Sequence, residues 1–214
     1  EEINRLQDPW LRDLTRHGIN RMLHHTQSFK PQFAADDTLA EPIDFTWHDK
    51  LLASKRRYVD AFVGGYSVAF YHMPAIPDAQ FERRFGAMME AWIAHLRELG
   101  LTPRQFPVEM MDEPSGAKAT VAEVAYKVMR QVAPDWLAMS SISLGVPKEL
   151  TRLSKVMEIM VVQPDLTPAA DEALRQSGRE IWSYQCAGSL GTLLPYPYYR
   201  AQPWVAWAKG YKGF

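Results

Sequence analysis

Cysteine is nearly absent from this 214-residue sequence: Cys186 stands alone. An internal disulfide and a cysteine-ligated metal cluster are therefore both excluded, and the redox compartment stays open. Excess positive charge is also missing. The 24 Lys and Arg are balanced by 25 Asp and Glu, for a net charge of −1. That is not the basic footprint a phosphate backbone demands, and no nucleic-acid partner is expected. Hydrophobic residues make up 47% of the chain, yet they never run on for the roughly 18 residues that a membrane-spanning helix needs. No membrane partner is expected. The phosphate-cradling patterns G-x-G-x-x-G and G-x-x-x-x-G-K do not occur, which counts against a nucleotide-binding doubly wound sheet. Gly64-Gly65 precedes a strand candidate and reads as a turn. The opening Glu1-Glu2-Ile3-Asn4 lacks a basic-then-apolar leader pattern, as a processed or excised chain also would.

What the sequence does have is periodicity. Phe81, Phe85, Met88, Trp92, Leu96 and Leu99 fall on one helical face that stops at Gly100. Asp8 followed by Pro9 predicts an N-cap and first helical position, with the helix running through Leu14 to Gly18. Thr46 with Asp49 opens another helix, Val121 to Val132 forms a fourth, and Thr167-Pro168 opens a shorter one that closes near Gly178. Between them lie strand candidates at Ile19–His25, Tyr66–Tyr71, Pro107–Asp112, Trp136–Ile142, Val156–Val162 and Ile181–Tyr184, with a truncated one at Gly213-Phe214.

Alternation of this kind without hairpin signals predicts right-handed βαβ units and a parallel sheet. The strand starts recur about every 32 residues, against ~31 per unit in an eight-fold β/α barrel of ~250 residues. The expected fold is an α/β barrel of the (β/α)8 type, incomplete in this chain. Residues 1–214 would form one partial catalytic domain of about seven units, with a first strand expected before Glu1.

In such a barrel the chemistry sits at the carboxyl ends of the strands. There the sequence places Asp112-Glu113-Pro114. Strict alternation sets Glu109, Met111 and Glu113 on one face and Val108 and Met110 on the other, which aims Glu113 into the mouth with Asp112 beside it. Two neighbouring carboxylates do not ionise independently, and a partly buried one becomes a general acid near neutrality. Equally, Asp112 could cap the next helix and Glu113 pair with a surface cation. Trp182 and Tyr184 share a strand face at the rim, suited to stacking and hydrogen bonding. Tyr71 and His72 end another strand and are further binding candidates; packing is the alternative for all four.

Asp165 reads more readily as a turn residue than as a second catalytic carboxylate. Glu109 and Glu158 read as structural, with Glu158 needing a buried partner such as a cation in the barrel floor. His24-His25, His48 and His72 follow no metal-ligand spacing, and no metal is expected. Cys186 reads as a buried thiol. Tyr196-Pro197-Tyr198-Tyr199-Arg200 reads as a loop over the mouth, Arg200 as its anchor, and Trp204 and Trp207 as core residues of a closing helix.

Asp112-Glu113-Pro114 at a strand end, Trp182-Ser183-Tyr184 on a late strand, then Arg200, Trp204, Trp207 and Gly210–Phe214 together resemble glycoside hydrolase family 123 over nearly the whole chain. The resemblance implies a β-N-acetylgalactosaminidase-like enzyme, secreted or periplasmic, needing no cofactor. It also implies a carbohydrate substrate and a β-sandwich domain ahead of the barrel. It makes Glu113 the general acid/base and Asp112 the carboxylate that orients the substrate's 2-acetamido group, which itself attacks the anomeric carbon. Consistently, Ile181–Cys186 carries no carboxylate at its carboxyl end, where a conventional retaining enzyme would keep a nucleophile. A conventional glycosidase using Glu113 and Asp165, or a non-catalytic carbohydrate-binding barrel, are the alternatives.

Overall fold

The computed structural model describes residues 2–24, 29–64, 77–142, 147–163, 166–184 and 201–214. The elements alternate: α1 (Glu2–Arg16), β1 (Arg21–His24), α2 (Thr46–Arg56), β2 (Ala61–Gly64), α3 (Ala79–Glu98), β3 (Val108–Met111), α4 (Ala117–Val132), β4 (Ala138–Ile142), α5 (Pro147–Leu153), β5 (Ile159–Val162), α6 (Pro168–Gln176), β6 (Glu180–Ser183) and α7 (Ala201–Ala208). All strand pairings are parallel, and the sheet order is β1-β2-β3-β4-β5-β6. Each strand pairs with its neighbours in sequence, so the order never reverses, as it must in a doubly wound sheet. The sheet is an incomplete β/α barrel. At its far edge Lys212 N–H donates to Ile181 O (2.7 Å) and Ser183 N–H to Gly213 O (2.9 Å), so Gly213 bridges Trp182 where a truncated strand was expected.

Local sequence explains most of the helices. The Asp78 carboxylate caps α3 by accepting from Phe81 N–H at 2.8 Å. Gly100, at φ +73, ends the helix by reversing the chain so that Leu101 N–H reaches Leu96 O at 3.0 Å. The apolar stripe of α3 is buried as its spacing predicts, with Trp92 and Leu96 wholly enclosed. Thr167 caps α6, with Pro168 in its first turn. Two brackets fasten α3 to its surroundings. Asp37 accepts from Gln80, Arg83 and Arg84, and the Asp49 carboxylate on α2 meets His95 Nε2 at 2.8 Å.

Several expectations are corrected. Asp8 does not cap α1: the helix runs from Glu2 through Pro9, and the Asp8 carboxylate instead meets Arg57 at 2.7 Å. The second strand described is Ala61–Gly64; the strand expected at Tyr66–Tyr71 falls on residues that lie outside the described ones. Gly64 is accordingly no turn residue. It pairs with His24 and Val108, and a Cβ there would lie 1.9 Å from Phe106 Cε1. The strand needs glycine because a neighbouring ring occupies the side-chain space.

Trp204 and Trp207 are not core residues: they are 71% and 75% exposed, and α7 buries Ala206 instead. Helical spacing puts two residues on one face without saying which way that face turns. Glu158 sits just before β5 and finds its side-chain partners on α4, not in a barrel floor. Its carboxylate accepts from Tyr126 OH (2.7 Å), the Arg130 guanidinium (3.3 Å) and Ala138 N–H (2.8 Å).

Gly64→Ala is expected to destabilise the fold by at least ~1–3 kcal/mol, because the fully buried Phe106 ring has no room to yield. A shift of the urea midpoint to lower concentration with an unchanged m-value checks it.

Candidate functional site

β3 and β4 run in register at Val108↔Ala138 and Glu109↔Met139, but the next pair is Met111↔Ser140. Met110 is an extra residue, a bulge, and bulges re-aim the side chains that follow them. Strict alternation therefore fails, and the grouping of Glu109 with Met111 and Glu113 is corrected. Instead Glu109 and Asp112 turn to the same place, the hydroxyl of Ser141 on β4. Ser141 Oγ lies 2.9 Å from Glu109 Oε1 and 2.7 Å from Asp112 Oδ1. All four β3 residues are buried, and Met110 and Met111 are wholly so.

Glu113 follows at φ +43, a left-handed backbone that is uncommon for a side chain of its size. Its N–H donates to Ser141 O at 3.1 Å and also faces Ser141 Oγ at 3.2 Å, which holds the turn in place. The Glu113 carboxylate accepts a short hydrogen bond from the Tyr184 hydroxyl, just past the end of β6. Groups from β3, β4 and β6 thus meet above the carboxyl ends of the strands.

Below them lies a cavity of about 570 Å³ enclosed by the strands, reaching from Asp112 and Tyr184 at one end to Arg21 and Glu180 at the other. Its volume falls within the range of small-molecule sites. The floor is polar and tied. Arg104 meets Glu180 at 2.6 Å, while the Arg21 guanidinium donates to the carbonyls of Phe62 (2.6 Å), Arg104 (2.9 Å) and Gln105 (3.1 Å). Trp182 lines the cavity at mid-depth. Its indole N–H donates to Glu180 at 2.7 Å and the Arg21 guanidinium lies 5.0 Å from its ring, so its polar edge points to the floor rather than the rim.

The structure thus brings together Asp112, Glu113 and Tyr184; Asp112 and Tyr184 line the cavity with Trp182 lower down, whereas Glu113, expected to aim into the mouth, is held at its edge by Tyr184 and is not part of the lining. Tyr71, His72, Asp165, Cys186, Arg200 and the Tyr196–Arg200 loop lie outside the described residues, as does His25. Two partners escaped the sequence reading. Glu109 was assigned a structural role, and Ser141 was not singled out, although two serines inside the otherwise apolar β4 sequence Ala-Met-Ser-Ser-Ile signal buried hydroxyls in need of partners. Burial pushes the Glu109 carboxyl up to about 7; the nearby Asp112 charge acts in the same direction and the Ser141 hydrogen bond opposes both.

A second cluster, His48, Asp49 and His95, brings three ligand-type atoms within 4.8 Å of one another. Its hydrogen bonds define its chemistry. Trp92 Nε1 donates to His48 Nε2 at 3.2 Å. Because an indole only donates, Nε2 must hold a lone pair, and the proton of the neutral ring sits on Nδ1, facing Asp49 at 3.0 Å. A metal ion would need the Nδ1 lone pair. Burial pulls the His48 imidazole below its usual range, which favours that neutral ring. The cluster thus acts as a clamp between α2 and α3.

No protein-family profile matches the chain, and no curated protein does. Solved structures do share its fold. A family 10 xylanase from Thermobacillus composti superposes with a TM-score of 0.56 at 15% identity, over 89% of this chain and 70% of that one. A family 123 glycoside hydrolase from Clostridium perfringens, described as acting in glycolipid glycan hydrolysis, gives 0.60 at 12% identity over 85% of this chain. This chain spans 38% of that protein's length. A family 10 endoxylanase from a sugarcane soil metagenome gives 0.50 at 12% identity, over 88% and 66%. The shared fold is that of barrel glycoside hydrolases, and it does not single out family 123.

Ser141→Ala is expected to cost about 1–3 kcal/mol, since it strips the buried Glu109 carboxyl of its hydroxyl partner. Urea denaturation at neutral pH would register this as a lower midpoint.

Proposed function

We propose that the chain carries the active site of a retaining glycoside hydrolase acting on terminal β-linked N-acetylhexosamine, in the galactose configuration implied by the family 123 resemblance. The observation that carries this reading is the adjacent pair Asp112 and Glu113 at the carboxyl end of β3, each engaged from another strand above a sugar-sized cavity. The fold shared with family 10 and family 123 hydrolases supports it.

In this mechanism Glu113 gives its proton to the glycosidic oxygen as the bond to the anomeric carbon breaks. The acetamido oxygen of the substrate forms the new bond to that carbon, closing an oxazoline ring. The ring nitrogen becomes positive, and the Asp112 carboxylate accepts its N–H and stabilises the charge. Glu113, now a carboxylate, removes a proton from water, which opens the ring at the anomeric carbon with net retention. Tyr184 holds Glu113 in position through its hydroxyl. The binding role goes to Trp182 and, on the sequence reading alone, to Tyr71 and His72.

The late strand supports the choice of the substrate's own nucleophile. Among the described residues, the carboxyl end of β6 offers Ser183 and Tyr184, and its one carboxylate, Glu180, stands at the opposite end bound to Arg104 and Trp182. A conventional retaining enzyme needs a second carboxylate about 5–5.5 Å from the acid.

Glu113→Gln should lower turnover about 10²–10⁴-fold on glycosides with poor leaving groups and much less on activated aryl glycosides. Asp112→Asn should lower turnover about 10²–10³-fold while ground-state binding changes little, and should weaken binding of a thiazoline mimic of the cyclised intermediate. Steady-state kinetics on aryl glycosides with and without the 2-acetamido group measure both. Equal effects of Glu113→Gln on both leaving groups, or covalent trapping of a 2-fluoro sugar on Asp165 or any other carboxylate, would overturn the reading. No hydrolysis of any of the panel alongside saturable sugar binding would make it a binding barrel.

A further inference from the structure

A hydroxyl has one proton to give. Ser141 Oγ nevertheless lies within hydrogen-bond distance of two carboxyl groups, Glu109 at 2.9 Å and Asp112 at 2.7 Å. If both were ionised, the Ser141 hydroxyl could donate to only one, and its oxygen would face the other carboxylate oxygen with no hydrogen between them, even with the Ser141 backbone N–H also turned to Glu109. The close pair of oxygens favours one more proton.

Burial decides where it resides. Glu109 is 6% exposed, whereas Asp112 sits half-buried at the cavity mouth. Charge is far more costly at the enclosed position, so the proton belongs to Glu109. Every bond then has a donor. Glu109 O–H donates to Ser141 Oγ, Ser141 O–H donates to Asp112, and the second lone pair of Ser141 Oγ faces the Glu113 N–H at 3.2 Å.

We propose that Glu109 is a positioning residue, protonated on the acid side of neutrality, which acts through Ser141 to hold the Asp112 carboxylate aimed into the cavity. Its effect on turnover rests on the reading of Asp112 given above; its proton does not. The surroundings are consistent. From β1 the charged group in the cavity is Arg21, from the segment before β3 Arg104, from β6 Glu180 and from the C-terminal segment Lys212, while β2, β4 and β5 contribute Val63, Met139 and Val161 beside Ser141. Arg21 is committed to backbone carbonyls and Arg104 to Glu180.

The sign of the pH effect follows. The Glu109 carboxyl is raised from 4.5 to about 7, so it is protonated below that value and ionises as pH rises through it. Above it, two negative charges share one hydroxyl. Folding stability from this group is complete below 4.5 and is lost as pH rises through about 7. Glu109→Gln, whose amide N–H₂ can still donate to Ser141 but cannot ionise, should remove that loss.

The test is carboxyl ¹³C NMR of glutamate-labelled protein, with Glu109 assigned by its absence in Glu109→Gln. The expected titration midpoint lies near 7 and moves down in Asp112→Asn. Paired kinetics should show Glu109→Ala lowering kcat about ten- to hundredfold with KM little changed. Glu109→Gln should restore much of that loss and flatten the decline of kcat above neutral pH. A midpoint in the ordinary carboxyl range, or no movement in Asp112→Asn, would overturn the proton assignment. Identical pH–kcat profiles for wild type and Glu109→Gln would overturn the positioning role. A midpoint near 7 in a protein that hydrolyses no N-acetylhexosaminide would uphold the proton assignment and sink only the functional reading.

Discussion

The Ser141 hydroxyl is the point on which the arrangement of the cavity turns. Two carboxyl groups and one backbone amide converge on it from β3, and it projects from the adjacent strand β4. Parallel pairing fixes the height of each strand end, so a side chain on β4 can reach only what β3 presents at the same level. The bulge at Met110 brings Glu109 and Asp112 to that level together. Asp112 is then anchored from below, and Glu113, one residue on, is carried through a left-handed turn toward Tyr184. The catalytic proposal draws on this one local geometry more than on the overall fold.

The other end of the cavity is governed by different physics. Among the described residues no strand joins β1 to β6, yet Arg21 from the first strand lies against Trp182 of the last, and Arg104 reaches Glu180. These contacts tie elements that no ladder of backbone hydrogen bonds joins. Arg21 also satisfies three carbonyl groups at the foot of the sheet. Burial lowers the Arg21 pKa somewhat, and the charge of Glu180 opposes that change. A polar, tied floor and a carboxylate-bearing mouth leave a largely apolar middle, lined by Val63, Met139, Val161 and Trp182.

How much of this was legible in the sequence depends on whether local signals or packing decided it. The face of α3, the cap and proline of α6, and the strand at 107–112 follow from spacing and from residues that act on their own backbone. The parallel barrel follows from alternation and interval. What escaped depended on neighbours distant in sequence. Gly64 looked like punctuation because Phe106, which fills the space beside it, lies on the approach to another strand. The tryptophans of α7 looked like core because a helical period is blind to which side faces in. Glu158 found a cation, but on α4. Asp112 and Glu113 were found by position at a strand end, whereas the pairing of Asp112 with Glu109 was hidden by the bulge, which no residue of β3 announces.

That bulge carries its information in a count. Removing Met110 would leave a strand of much the same composition and apolar character, Val-Glu-Met followed by Asp-Glu-Pro, in which Glu109 and Asp112, then two apart, share a face without any bulge. Keeping Met110 but pairing it regularly would instead turn Asp112 away from Ser141 and bring Glu113 to its side of the strand. Two chains could thus share both acids at the same spacing and differ in which of them meets Ser141. For this site, the register between Glu109 and Asp112 matters as much as the identity of either acid.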